Sequence, residues 1–161
     1  MGDWLHEGYP GRVLMVDLSK LTCTTREVPK QVLIESIGGK GLATRLLVDW
    51  DTTEIEAYEN QHPVTGQKDV ASHPSTPLLI MTGPYQGSAV GSTGRAVICT
   101  RSPLTDVYLD TYFGGDFGHD LRQAGWEGLF IFGKSPHLVR LEINDLEAKL
   151  VEAESLRGLT T

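Results

Sequence analysis

Apolar positions along this chain fall in short runs broken by glycine, proline and small polar residues. Arg12 to Leu18 (RVLMVDL) is rich in β-branched and apolar residues and predicts a strand, Ser19-Lys20 a turn, and Cys23 to Val28 a returning strand. After Pro29, Gln31 to Ile37 reads as a short helix or loop that ends in Gly38-Gly39-Lys40-Gly41. Leu42, Leu46 and Leu47 then share one side of a helix over Leu42 to Val48. Asp51 to Pro77 is polar and irregular, and a loop of this length is usually functional or an interaction insert. Its histidines, His62 and His73, lack metal-ligand spacing and read as solvated loop residues.

Leu78 to Thr82 (LLIMT) is the next apolar run and reads as a buried strand. A glycine-rich loop, Gly83 to Gly94, leads into a strand over Arg95 to Thr100. Ser102-Pro103-Leu104-Thr105 makes a turn and Val107 to Thr111 a returning strand. Glycines recur over Gly114 to Gly118, before a short helix at His119 to Ala124 and a strand at Leu129 to Phe132. Leu138 to Ile143 and Ala148 to Val151 flank Asn144-Asp145 as a hairpin.

This order repeats. GRVLMVDLSKLT (Gly11 to Thr22) aligns with GRAVICTRSPLT (Gly94 to Thr105): both start Gly-Arg, cross an apolar strand and reach Ser-x-Leu-Thr at the same offset. Gly38 precedes Trp50 by 12 residues, and Gly114 precedes Trp126 by the same 12. The expected fold is therefore α+β and internally duplicated. It comprises two similar, mostly antiparallel β-sheet halves, each with a short helix, about a pseudo-two-fold axis. Residues 1–161 form one domain, with half one about 1–82 (irregular insert 51–77) and half two about 83–161. Such packing brings the two glycine-rich turns toward a shared seam, which suits one extended or two-part ligand.

Composition narrows the partners. The formal charge of −7 gives no reason to expect nucleic acid or an anionic membrane. No run approaches the roughly 18 apolar residues of a membrane span, and no apolar signal region opens the chain, so a cytoplasmic location is expected. Cys23 and Cys99 form no CxxC pair and read as buried reduced thiols. Trp4, Trp50 and Trp126 are expected in cores or at the seam.

Candidate chemistry concentrates at the glycines. Gly94-Arg95 closes a loop whose backbone N–H groups can approach a ligand, and the arginine fork matches phosphate. A strand entry with a surface arginine explains the same residues. Gly38-Gly39 and Gly114-Gly115 each open a helical segment, where anions are favoured, yet neither motif is a Walker loop or a GxGxxG fingerprint. Asp110, Asp116, His119 and Asp120 cluster at a loop-to-helix junction. Asp116 as a helix cap and His119 as an exposed first-turn residue account for them, and no catalytic residue or metal ligand is assigned.

Taken together, GRVLMVDLSKLT, IGGKGLATRLL, TGPYQGSAVGSTGRAVICTRSPLT and FGGDFGHDLRQAGWEGLFIFGKSP resemble the N-terminal domain of the tungsten-containing aldehyde:ferredoxin oxidoreductases, over almost the whole chain except Asp51 to Pro77. The resemblance implies two related α+β halves forming a base for a tungsten (or molybdenum) bispterin. It implies that Arg95, after Gly94, contacts a pterin phosphate. It also implies that the Gly114-Gly115 backbone meets the pterin, and that Tyr112, where relatives often carry Asn, offers its carbonyl to the magnesium bridging the phosphates. Family enzymes run several hundred residues further and carry there the cysteines of a 4Fe-4S cluster, a second pterin-binding loop and the acid/base residues. Two isolated cysteines cannot hold such a cluster. The chain ends at LRGLTT, where Thr160 and Thr161 resemble helix caps without a helix. A fragment, a truncated gene or a separately encoded subunit is expected, inactive alone, with the remainder of the enzyme as partner and ferredoxin as electron acceptor of the whole. The alternative is a non-catalytic domain that binds a partner chain or a phosphate ligand.

Overall fold

The computed structural model describes residues 8–50, 73–105 and 107–159. Trp4, His62, most of the Asp51 to Pro77 insert, and Thr160 and Thr161 lie outside the described residues.

Eight strands and three α-helices are described. They run β1 (Arg12–Asp17), β2 (Thr22–Glu27), α1 (Lys30–Ser36), α2 (Gly39–Val48), β3 (Leu78–Met81), β4 (Ala96–Arg101), β5 (Tyr108–Phe113), α3 (Phe117–Gln123), β6 (Gly128–Phe132), β7 (Val139–Asn144) and β8 (Glu147–Glu152). The mixed α+β class expected from the sequence is the class found. Six strands form one sheet in the order β2-β1-β6-β3-β4-β5, and β7-β8 form a separate hairpin. Pairing is antiparallel except between β1 and β6.

The two repeats interlock in this sheet. The hairpin β1-β2 of the first occupies one flank and β4-β5 of the second the other. The third strand of each crosses over: β6 pairs with β1, and β3 pairs with β4. A lone hairpin with a helix has too little surface to bury. Exchanging third strands gives both hairpins a continuous sheet. The match is one of element order rather than strict symmetry, since β6 runs parallel to β1 while β3 runs antiparallel to β4.

Strand alternation sorts the core into two layers. Val13, Leu79, Met81, Val97, Cys99 and Phe130 face Leu33, Leu42, Ala43 and Leu46 of α1 and α2. Leu14, Val16, Trp126 and Leu129 face Leu121 of α3 on the opposite side, with Leu141, Ile143 and Leu150 of the β7-β8 hairpin packed against them. Trp126 is 1% exposed, and Trp50 stacks on Phe130 and Phe132 at 4.7 and 4.9 Å. The hairpin turn falls one residue later than the sequence suggests. Asn144 pairs with Glu147, leaving Asp145-Leu146 as the turn, with Asp145 at φ 51°. Asp is among the side chains that tolerate that region.

Candidate functional site

Strand direction gathers the glycine turns. β1, β4 and β6 begin, and β2, β3 and β5 end, at the same end of the sheet. This end, called the head, carries Gly8–Gly11, the turns before α2 and α3, and the long loop 82–95.

Gly38 is the N-cap of α2, and Gly39 donates its N–H to the Thr82 carbonyl at 2.9 Å, where the loop starts. At the other end of the loop, a Cβ on Gly94 would lie 3.7 Å from the Gly115 carbonyl. The two turns thus flank one loop, at the ends of the neighbouring strands β3 and β4. They approach it from opposite faces, because α2 and α3 cover opposite faces.

The sequence-named residues meet across the β4-β5 pair. Val97 pairs with Tyr112 and Ala96 with Phe113, so Arg95 and Gly94 continue β4 beside Gly114 and Gly115. Gly94, Arg95, Tyr112, Gly114 and Gly115 are all exposed. Arg95 makes no hydrogen bond or ion pair with any described residue. The glycines here are instructive. A Cβ on Gly114 would meet nothing within 4 Å, and Gly114 does not need a positive φ. Gly115 has φ 97° and also opens onto free space. At Gly128, by contrast, a Cβ would overlap the Ile80 carbonyl and the Met81 sulfur, so packing dictates that glycine.

Tyr112 shares a strand face with Tyr108 and Asp110, on the side of α2. Lys40 of α2 reaches Asp110 at 3.4 Å. Thr44 donates to the Tyr108 hydroxyl at 3.2 Å, and that hydroxyl donates to Cys99 Sγ at 3.1 Å. Burial first, then its bond to Cys99, pushes the Tyr108 hydroxyl up to about 12. Burial also raises both thiols, Cys23 and Cys99, and neither is bonded to another cysteine. These contacts pin β5, and with it the Tyr112–Gly115 rim, to α2.

Asp116 stands at the N-cap of α3, as expected, but its side chain makes no capping bond. His119 is exposed in the first turn of that helix. Among the described residues, no three His, Cys, Asp or Glu are grouped to hold a metal ion.

The head also holds a group that the sequence reading did not single out. Arg122, 7% exposed, donates to Glu127, to Thr82 Oγ1 at 3.2 Å and to the Gly8 carbonyl, and lies 5.2 Å from the Tyr9 ring centroid. Glu127 is fully buried and accepts the Gly11 N–H at 3.1 Å. Burial raises its carboxyl against the opposing pull of Arg122. A carboxylate wedged between Trp126 and the apolar strand GLFIF was the available signal, because a buried charge needs a partner.

Three comparisons bear on this arrangement. Tungsten-containing aldehyde ferredoxin oxidoreductases from Pyrococcus horikoshii and Thermococcus kodakarensis are 28% and 29% identical to it over 94% and 98% of the chain. The aliphatic sulfonate oxidoreductase WOR-like subunit of Pyrococcus furiosus is 29% identical over 94% of the chain. The chain spans less than a quarter of each relative, 23%, 23% and 22%. The active-site complex BamBC of benzoyl coenzyme A reductase, solved with 1,5-dienoyl-CoA, superposes with a TM-score of 0.79 at 26% identity, over 94% of this chain and 21% of that one. Residues 13–161 match the family described as aldehyde ferredoxin oxidoreductase, N-terminal domain, and the chain belongs to that family.

Proposed function

We propose that this domain cradles one phosphate-bearing arm of a tungsten or molybdenum bispterin within an aldehyde-oxidising enzyme. The observation that carries the reading is the rim formed by Arg95 and Gly114. An exposed guanidinium with no partner among the described residues stands beside a glycine that the packing of those residues does not require. A ligand approaching the backbone there accounts for both. Gly94, Gly115 and the Tyr112 carbonyl complete the rim, the last as an oxygen suited to a magnesium ion bridging phosphates.

The cofactor, when bound, supplies the redox chemistry that takes an aldehyde and water to a carboxylic acid, two protons and two electrons. The electrons pass to ferredoxin in this reading. The domain's own part is to pair phosphate charge, to present N–H groups and to leave room for the ring system. Aldehyde contacts, the 4Fe-4S cluster and proton transfer belong to the remainder of the enzyme, which the chain's short share of its relatives leaves room for. Ile37, Tyr85, Val90, Tyr112 and Phe117 add an exposed apolar surface at the head, of the kind another domain or subunit covers. A cytoplasmic location fits a ferredoxin-linked enzyme. Among the described residues, no helix is long and apolar enough to cross a membrane.

Fluorescence titration with a phosphorylated pterin tests the cradle. Wild type is expected to bind weakly but saturably, since only part of the cofactor shell is present. Losing a charge-assisted pair weakens binding roughly tenfold or more in Arg95→Ala. Gly114→Val is expected to block approach at unchanged stability. Equal affinity in all three proteins overturns the reading.

A further inference from the structure

We infer that the head of the sheet carries a second oxyanion site, centred on Arg12 and distinct from the Arg95 rim. The repeat supplies the first observation. Gly11-Arg12 opens the first copy as Gly94-Arg95 opens the second. The structure gives these arginines matching places, at the heads of β1 and β4, each the second strand from its edge of the sheet. Arg12 is therefore the internal counterpart of Arg95, about three strand spacings, or roughly 14 Å, across the sheet.

The surroundings of Arg12 supply the second. A cavity of about 410 Å³ opens beside it, lined by Gly8, Tyr9, Arg12, Gln86, Arg122 and Gln123 among others. Among the described residues no aspartate or glutamate lines it, in a chain of formal charge −7. The Arg12 side chain is half-buried and anchored through Nε to the Pro10 carbonyl at 3.3 Å. Its two terminal nitrogens bond to no described residue. Glu127 is engaged by Arg122, and no described carboxylate pairs with Arg12 at the cavity wall. Gln86, also on the wall, holds the only buried side-chain nitrogen without a partner among the described residues, its Nε2 packed against Gly118.

An anchored, partly desolvated guanidinium whose terminal N–H groups meet no described partner or carboxylate selects a planar or tetrahedral oxyanion over a cation or an apolar ligand. The cavity takes a phosphate-class group, either a free ion or the end of a phosphomonoester. This inference does not require the Arg95 reading, and the test separates the two.

Amide and arginine Nε signals of the 15N-labelled chain are followed while inorganic phosphate, and separately glycerol phosphate, is added at constant ionic strength. Saturable shifts are expected at Arg12 Nε and at the amides of Gly8, Gly87 and Gly125. Arg12→Ala is expected to raise the dissociation constant there about tenfold. Arg12→Lys, which keeps the charge but loses the fork, is expected to fall between, and Arg95→Ala to leave these shifts unchanged. Tighter binding of the ester assigns the site to a terminal phosphate, and equal binding to the free ion; both uphold it. Absence of saturable shifts, or an unchanged dissociation constant in a folded Arg12→Ala chain, overturns it.

Discussion

At the head of β6, Arg122 commits its guanidinium to Glu127, Thr82 and the Gly8 carbonyl and is 7% exposed. At the head of β4, Arg95 is exposed and engages no described residue. The glycines beside them divide in the same way. Gly128 next to Glu127 is compressed against β3, whereas Gly114 next to Arg95 faces open space. The central strands of the sheet therefore use charge and glycine to hold the fold, and the β4-β5 flank leaves the same residue types free. Residue type alone does not separate these uses. Burial and the identity of the partner do.

The strongest way to break this contrast is to remove a partner at each place. Glu127→Ala leaves Arg122 buried and uncompensated and is expected to cost about 3–5 kcal/mol in denaturant unfolding. Arg95→Ala is expected to stay within about 0.5 kcal/mol of wild type. A comparable loss at both arginines would mean that Arg95 is structural. Glycine substitutions sharpen the point at lower amplitude. Gly128→Ala overpacks the β6-β3 contact and is expected to cost about 1–3 kcal/mol, while Gly114→Ala is expected to be near neutral by thermal unfolding.

The pin between α2 and β5 gives a smaller effect. Tyr108→Phe removes two hydrogen bonds of a partly exposed hydroxyl and is expected to cost at most about 1 kcal/mol. Its raised value of about 12 has a definite sign. The folded state holds this proton more tightly than an ordinary tyrosine near 10, so the contribution is complete below pH 10. It is lost as pH rises toward 12, and phenolate absorbance in wild type and Tyr108→Phe reads it directly. The smallest effect lies farthest from the site. Arg157 and the Leu138 N–H hold Glu154 down to about 2. Its stabilising share is present above the ordinary 4.5 and declines as pH falls toward 2. The protection factor of the Leu138 amide, taken against the intrinsic exchange rate at each pH, is expected to fall across that window, with the Arg95 rim unaffected.

Much of the architecture was legible because the signals are local. Short apolar runs in RVLMVDL, RAVICT and LFIF mark strands with two buried faces, and glycine pairs mark the helix starts. Repeat landmarks gave the order of elements in each half. They could not give the exchange of β3 and β6, since a strand's partner is set by tertiary packing rather than by its own residues. The candidate residues came from the family resemblance, and the structure brings Gly94, Arg95, Tyr112, Gly114 and Gly115 to one exposed rim. Arg122 and Arg12 were not singled out. Their roles depend on what surrounds them, Glu127 for one and a cavity with no carboxylate among its described lining for the other, so the buried Glu127 and the Gly11-Arg12 repeat are cues that only tertiary contacts complete.

The central claim is that a phosphate-bearing pterin meets the backbone at Gly114 and Gly115 beside Arg95. Residue-resolved NMR during titration with a phosphorylated pterin tests it most directly. The account predicts that the largest saturable shifts fall on the Gly114 and Gly115 amides and need roughly tenfold more pterin in Arg95→Ala. Unmoved Gly114 and Gly115 signals, with the strongest shifts instead at Cys23 and Trp126 in the cavity between β2 and β8, would contradict it.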